Sequence, residues 1–166
     1  MNDTRLHRLS LQEADAVADL ARVTWQATYP ALISQAQIDA MLADRYAADR
    51  IRAQLDDPGH AWWSAQQNPM LVGFAHALLD DGADCKLDKL YVHPDHQRQG
   101  IGAELLQAVQ DWAKQQQAGR LWLQVNRGNT QAIAAYRRYG FRIVESRVFD
   151  IGDGFVMDDH VMELPL

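Results

Sequence analysis

The residues best placed to do chemistry are Gln97, Arg98, Gln99, Gly100, Ile101, Gly102 and Ala103. They follow Leu87-Asp88-Lys89-Leu90-Tyr91-Val92, which reads as a buried strand ended by Pro94, a residue with no N–H for a ladder. After Gly100 the period changes: Ile101, Leu105, Val109, Trp112 and Ala113 recur at helical spacing. A strand therefore runs through a glycine-bearing turn into a long helix. Gly100 and Gly102 put no Cβ between a ligand and the backbone. The first helical turn has free N–H groups with the positive end of the helix dipole behind them, so the stretch is an anion site suited to a pyrophosphate. There is no Gly-Lys-Ser/Thr for a P-loop and no third glycine for a dinucleotide fold. His93, Asp95 and His96 precede this loop, where solvent-facing or phosphate-side roles fit better than a metal site. Asp80, Asp81 and Asp84 lack the spacing and closing glutamate of an EF-hand and read as a solvated hairpin turn. Cys85, in a strand, reads as a small core residue.

The elements that must position this loop follow in order. Thr4 to Leu9 reads as a short strand. Ser10-Leu11-Gln12-Glu13 is a capping box opening a helix with Ala14, Val17, Ala21 and Trp25 on one face. Ser34 to Gln37 repeats the device before Ile38, Met41 and Leu42, and a further helix covers Ala47 to Leu55 before Asp57-Pro58-Gly59. Strands are expected at Ala61 to Gln66, Met70 to Leu79, Arg120 to Val125, Phe141 to Phe149 and about His160 to Leu164. Asn129 caps a helix from Thr130 to Tyr139, and Gly140 suits its left-handed C′ position. Helices interleaved with strands and hairpins give one mixed α/β (α+β) domain over residues 1–166.

Composition narrows the class. At 166 residues the chain can bury its own core, and 48% hydrophobic with 23% charged residues is the make-up of an ordinary globule. No apolar run approaches the ~20 residues needed to span a bilayer. Met1-Asn2-Asp3-Thr4-Arg5 lacks the charged-then-apolar pattern of a signal peptide, and one cysteine fits a reducing compartment; the expectation is a cytoplasmic protein away from membranes. A net charge of −6 argues against a nucleic-acid partner and mildly favours a cationic one.

The string Gln97-x-x-Gly100-x-Gly102 after strand-Val92-x-Pro94 resembles the acetyl-CoA signature of the GNAT family of N-acetyltransferases. The stretch Leu121 to Phe141 carries the other half of the resemblance, Asn129-x-x-Ala132-x-x-x-Tyr136-x-x-x-Gly140-Phe141 after a strand, and the two motifs together span about Leu87 to Phe141. The resemblance implies a mostly antiparallel sheet of about seven strands, flanked by about four helices and splayed between two central parallel strands, those ending near Val92 and Val125. It implies acetyl-CoA as cosubstrate and no metal. Its pantetheine arm would pair with Leu90, Tyr91 and Val92, and its pyrophosphate would rest on Gln97 to Gly102 with charge from Arg98. Ala103 would complete the cofactor-binding stretch, and Asn129 would contact the pantetheine or the attacking side of the thioester. It further implies the Val92 N–H as oxyanion donor and Tyr136 as general acid for the thiolate. A lysine-like amine (pKa ~10.4) must lose a proton at a cost of roughly 4–5 kcal/mol at neutral pH. Asp88 stands where some relatives carry a glutamate that acts through water, so it is the expected base; pairing to Lys86 or Lys89 is its other reading.

The motifs leave the acceptor open. Trp25 to Pro30 and the ending from Phe149, with Asp150, Asp153, Asp158, Asp159 and Glu163, resemble bacterial polyamine acetyltransferases of the PaiA type. Carboxylates lining a mouth would attract a polycation. Trp25 and Tyr29 continue an apolar helix face, so they are core residues by default and acceptor-pocket residues on the resemblance. A small-molecule amine, with a polyamine as the candidate that the resemblance offers, is thus the expected acceptor. A protein lysine or N-terminal amine is the rival enzyme reading, and a non-catalytic acyl-CoA sensor the rival of another class. Dimers are common among such relatives.

Overall fold

The first helix begins where the capping box puts it. The Ser10 N–H donates to Glu13 Oε1 at 2.9 Å, and a 3-10 turn over Leu11–Glu13 leads into α1, Ala14–Thr28. At the second helix only half of that device forms. Ser34 accepts from the Gln37 N–H, but the Gln37 side chain turns away and donates to the Val156 carbonyl at 2.8 Å. That bond ties α2, Gln35–Arg45, to the far end of the chain; α3, Ala48–Leu55, follows.

The computed structural model describes residues 3–166, so Met1 and Asn2 of the amino-terminal segment lie outside the described residues. Its strands are β1 (Arg5–Arg8), β2 (His60–Gln67), β3 (Met70–Leu79), β4 (Cys85–Val92), β5 (Arg120–Asn126), β6 (Arg142–Gly152) and β7 (Phe155–Pro165). They form one seven-stranded sheet in the order β1-β2-β3-β4-β5-β7-β6, antiparallel except for β4 beside β5. The long helix α4 spans Ile101–Gln115, and α5 spans Thr130–Arg138. This is the mixed α/β domain that the sequence pattern implies, with the mostly antiparallel sheet that the resemblance implies.

Two apolar cores cover the two faces. Ile101, Leu105, Val109 and Trp112 of α4 pack with Leu87, Leu121 and Leu123 on one side. Val17, Ala21 and Trp25 of α1 pack with Ile38, Ile51, Trp62 and Phe74 on the other. The last hairpin closes through Asp153 (φ +55) and Gly154 (φ +78), with Gly152 paired to Phe155. That is the I′-type geometry whose twist matches the strands, and it carries β7 back from Phe155, five residues before the start expected from sequence.

One irregularity in β4 matters for function. His76 pairs with Lys89 and Ala77 with Leu87, so Asp88 is the extra residue of a bulge. A bulge resets the alternation of side chains. Leu87 and Leu90 therefore both reach the α4 core despite their odd spacing, while Asp88, Lys89 and Tyr91 turn toward α1–α3.

Candidate active site

β4 and β5 pair only at Cys85 with Leu121 and Lys86 with Trp122, and then part. The gap holds two cavities. One, of about 450 Å³, lies over the Gln97–Gly102 loop; the other, of about 110 Å³, lies among the α1–α3 aromatics. They share Leu90, Tyr91, Asn129, Ala132 and Tyr136 as a common wall.

The larger cleft is an anion cradle on an open strand edge. The Val92 carbonyl accepts from Gln97 Nε2 at 3.3 Å, while the next N–H, that of His93, donates to Val72 on the β3 side. Backbone groups alternate along a strand, so Val92 presents its N–H and carbonyl to the cleft edge. In the loop, Arg98 (φ +64) and Gly100 (φ +80) adopt left-handed backbone. Gly100 is the N-cap of α4 and makes no side-chain capping hydrogen bond, so the first-turn N–H groups are of the kind that can take an anion. A Cβ on Gly100 would meet nothing within 4 Å, so the glycine serves the backbone conformation rather than protein packing. Gln97, Arg98, Ile101 and Gly102 line this cleft with Leu90, Tyr91, Val92, Asn129 and Tyr136. Gln99 and Ala103 are not among its lining residues; Gln99 accepts from Gln67 Nε2 at 2.9 Å on the outer side of the loop. Arg138 and Tyr139, one turn past Tyr136 on the same helix, line the cleft as well. The basic last turn of α5 was their signal in the sequence. His96 also lines this cleft, with a buried Nδ1 that has no hydrogen-bond partner among the described residues.

The wall between the cavities carries a proton donor. Tyr136 packs edge-on against Phe141, with ring centres 5.5 Å apart. Burial, then the nearby Tyr29 and Tyr139, raise its phenol above the ordinary tyrosine range. It therefore stays protonated through neutrality, the state a general acid requires. Asn129 caps α5, its side chain accepting from the Ala132 N–H at 3.3 Å.

The smaller cavity is lined by aromatics and two carboxylates. Trp25 Nε1 donates to the Tyr46 hydroxyl at 3.0 Å, and the Tyr29 and Tyr91 hydroxyls are 2.9 Å apart. Trp25 and Tyr29 are buried core residues, and both also line this cavity. Asp88 lies in a polar cluster: His76 Nδ1 is 3.1 Å away, Lys86 Nζ 3.4 Å, and Lys89 donates to its Oδ2. Burial alone would raise this carboxyl, but Lys89, His76 and Lys86 outweigh it and hold Asp88 well below the usual range. A carboxylate so held takes up a proton poorly near neutrality. Burial in turn drives His76 down to about 4, so it is neutral. The bonding pattern then assigns its Nδ1–H to Asp88 and leaves Nε2 to accept from His60 Nδ1–H at 2.9 Å. Asp159 of β7 completes the wall, 4% exposed, with an Oδ1 that has no partner among the described residues. Burial and the adjacent Asp158 push it up to about 6 against Lys86 and Arg45.

The other tail acids lie elsewhere. Asp158 pairs with Arg127 at 3.5 Å, Glu163 with Arg120 and Arg142, and Asp150 with the Gly152 N–H. Of the five acids in the tail, only Asp159 lines the smaller cavity. Asp80 is tied into its turn, accepting from the Gly82 and Asp84 N–H groups and from Trp122 Nε1. Among the described residues no three His, Cys, Asp or Glu side chains are grouped to hold a metal, and no helix is long and apolar enough to cross a membrane.

A sheet splayed at one parallel pair, with an anion cradle at the start of the helix after it, defines an acyltransferase class. The chain belongs to the acetyltransferase (GNAT) family, whose profile matches residues 15–141. An uncharacterized N-acetyltransferase of Mycobacterium tuberculosis is 30% identical over 142 residues, 86% of this chain and 91% of that protein. The spermidine N(1)-acetyltransferase of Thermoplasma acidophilum is 21% identical over 157 residues, 92% of this chain and 94% of that one. Among solved structures, the PaiA N-acetyltransferase of T. acidophilum in complex with coenzyme A superposes with a TM-score of 0.85 at 21% identity, covering 99% of this chain and 100% of that one. The [ribosomal protein bS18]-alanine N-acetyltransferase of Escherichia coli is 34% identical over 104 residues, 60% of this chain and 68% of that protein.

Proposed function

We propose that this N-acetyltransferase moves an acetyl group directly from acetyl-CoA to the amine of a small, flexible cation of the polyamine type, both substrates being bound at once. The observation that carries this reading is the meeting of the two cavities at Tyr136. The cradled cleft is open and suits a long anionic cosubstrate, whereas the second cavity is small, aromatic and carboxylate-bearing. Aromatic faces and buried carboxylates suit an ammonium on an aliphatic chain.

In this reading the pyrophosphate rests on the first-turn N–H groups of α4 and the Arg98-to-Gly100 backbone, with Arg138 adding charge. Pantetheine runs along the free edge of Leu90 to Val92, Asn129 contacts it, and the Val92 N–H faces the developing oxyanion. The amine nitrogen bonds to the thioester carbon, the C–S bond breaks, and the thiolate takes the hydroxyl proton of Tyr136. Replacement of Tyr136 by Phe should lower kcat about 10²-fold while acetyl-CoA affinity stays within about twofold. An unchanged kcat would remove Tyr136 from the chemistry.

A protein amine is the second reading, favoured by the likeness to the alanine N-acetyltransferase of E. coli. Release of CoA thiol from acetyl-CoA with spermidine, spermine, single amino acids and lysine or N-terminal peptides decides between them. Saturable turnover with a polyamine supports the proposal. Turnover with peptides alone, unaffected by spermidine, overturns it.

A further inference from the structure

Resting on that reading of the site, we infer that Asp159 receives the acceptor's ammonium group and takes its proton as the amine attacks. The expected base, Asp88, is already engaged: Lys89 and His76 bond its Oδ2 and Lys86 Nζ lies 3.4 Å from its Oδ1. Asp159 lines the same cavity, is 4% exposed, and keeps a buried Oδ1 without a partner among the described residues. A buried carboxylate oxygen left unmatched inside a protein is unfavourable unless something fills the place beside it. An ammonium is the complementary group, with N–H donors and the opposite charge.

The groups that face Asp159 agree with this. Lys86 of β4 and Arg45 of α2 line the cavity wall and attract the charge on Asp159, Asp158 on its own strand repels it, and Tyr29 beyond α1 senses it. From β5, Asn126 is its register partner. From β6, Arg147 pairs with it in register but turns its guanidinium to Glu145 at 3.2 Å and over the Phe149 ring at 4.5 Å. Lys86 is itself held by Asp88, so among the described residues no ion pair neutralises Asp159 directly. Its carboxyl, raised to about 6, is ionised at neutral pH yet basic enough to accept a proton. The two carboxylates thus divide the work, one fixed as an anion and the other free to titrate.

The protons balance. An ammonium that becomes an amide N–H loses two. One leaves through Asp159 to solvent, and the other replaces the hydroxyl proton that Tyr136 gives to sulfur.

The test uses the full chain with acetyl-CoA, CoA and spermidine. In Asp159→Asn, kcat/KM for spermidine should fall at least about 100-fold, with acetyl-CoA affinity within about twofold as the control for folding. The acidic limb of the wild-type kcat/KM profile should disappear, and Asp159→Glu should recover part of the rate. Spermidine binding to CoA-loaded protein should weaken about tenfold or more in Asp159→Asn. This binding arm separates the two ideas: wild-type protein that binds spermidine through Asp159 but turns over no amine refutes the acetyl-transfer reading and leaves the ammonium site. Equal binding by wild type and Asp159→Asn, or none by the wild type, overturns the site itself. Asp159→Asn within threefold of wild type at every pH overturns the base role. Should Asp159→Asn fail to fold, a carboxyl NMR titration of the wild type decides: Asp159 at an ordinary aspartate value overturns the inference.

Discussion

Asp88 and Asp159 look into one cavity from opposite arms of the splayed sheet, and the chain treats them in opposite ways. Asp88 is the bulged residue of β4, and the bulge aims it at Lys89, Lys86 and His76. Asp159 sits in a regular stretch of β7 between two neighbouring strands, with a buried oxygen left unmatched. Both are carboxylates within a largely buried pocket, yet one is held well below its ordinary range and the other raised to about 6. Position in the chain does not decide this; the partners delivered by other strands do. A matched charge holds structure, and an unmatched one is an expense that folding carries and a ligand can relieve.

The largest effect should come from breaking the matched side. Asp88→Asn leaves the Lys89 ammonium buried over the Tyr46 and Trp62 rings, 5.2 and 5.4 Å from their centres, without its counter-charge. Loss of one partner of a buried pair costs about 3–5 kcal/mol, so the urea midpoint should drop sharply. Adding Lys89→Met should restore much of it. If Asp88→Asn melts with the wild type, the contrast between the two carboxylates is wrong.

Asp159→Asn should act in the opposite direction. Keeping a carboxylate ionised where its pKa is about 6 rather than 3.8 costs at most about 3 kcal/mol above pH 6. With the new amide only partly satisfied, a gain of about 1–2 kcal/mol at pH 7.5 is expected. The sign follows from the raised value. As pH falls from about 6 to 3.8 the folded wild type takes up the proton first, its penalty disappears, and so does the variant's advantage. His76 slopes the other way: its folded value of about 4 lies below the ordinary histidine value of 6.5, so acid lowers stability between those values. The two slopes offset in the wild type. Asp159→Asn should uncover the His76 loss and fall more steeply between pH 6.5 and 4. Parallel stability curves for the two proteins would refute that pairing.

The larger cleft, proposed above for the cosubstrate, was legible because its residues are local in the chain. Gln97, Gly100 and Gly102 lie within six residues, and Asn129 to Phe141 within thirteen, so spacing alone exposes their geometry. What stayed hidden there is backbone: the left-handed Arg98 follows from the turn and not from its side chain. The smaller cavity, proposed above for the acceptor, is assembled from α1, α2, β4 and β7, and registers decide it. His76 reaches Asp88 only because β3 and β4 pair with a bulge, and no residue type in Leu87 to Val92 announces one. The tail acids read as a group in the sequence, but pairing with Arg120, Arg127 and Arg142 disperses Asp158 and Glu163 and leaves Asp159 alone in the pocket.

The smallest effect is the finest probe of the comparison, because Lys86 acts on both carboxylates. It lies 3.4 Å from Asp88 and lowers the values of both Asp88 and Asp159. Lys86 is half-buried and its ammonium is one of several partners for Asp88, so Lys86→Gln should cost no more than about 1 kcal/mol of stability. Its effect on Asp159 has no such backup from a hydrogen bond. Removing the positive charge should raise Asp159 further and move the acidic limb of kcat/KM to higher pH by a few tenths of a pH unit, with kcat on the plateau little changed. The size of the shift should shrink with added salt, as a through-space interaction at a partly open pocket must. A limb that stays put, with stability falling by several kcal/mol instead, would mean that Lys86 serves Asp88 alone and that the two carboxylates are electrostatically separate.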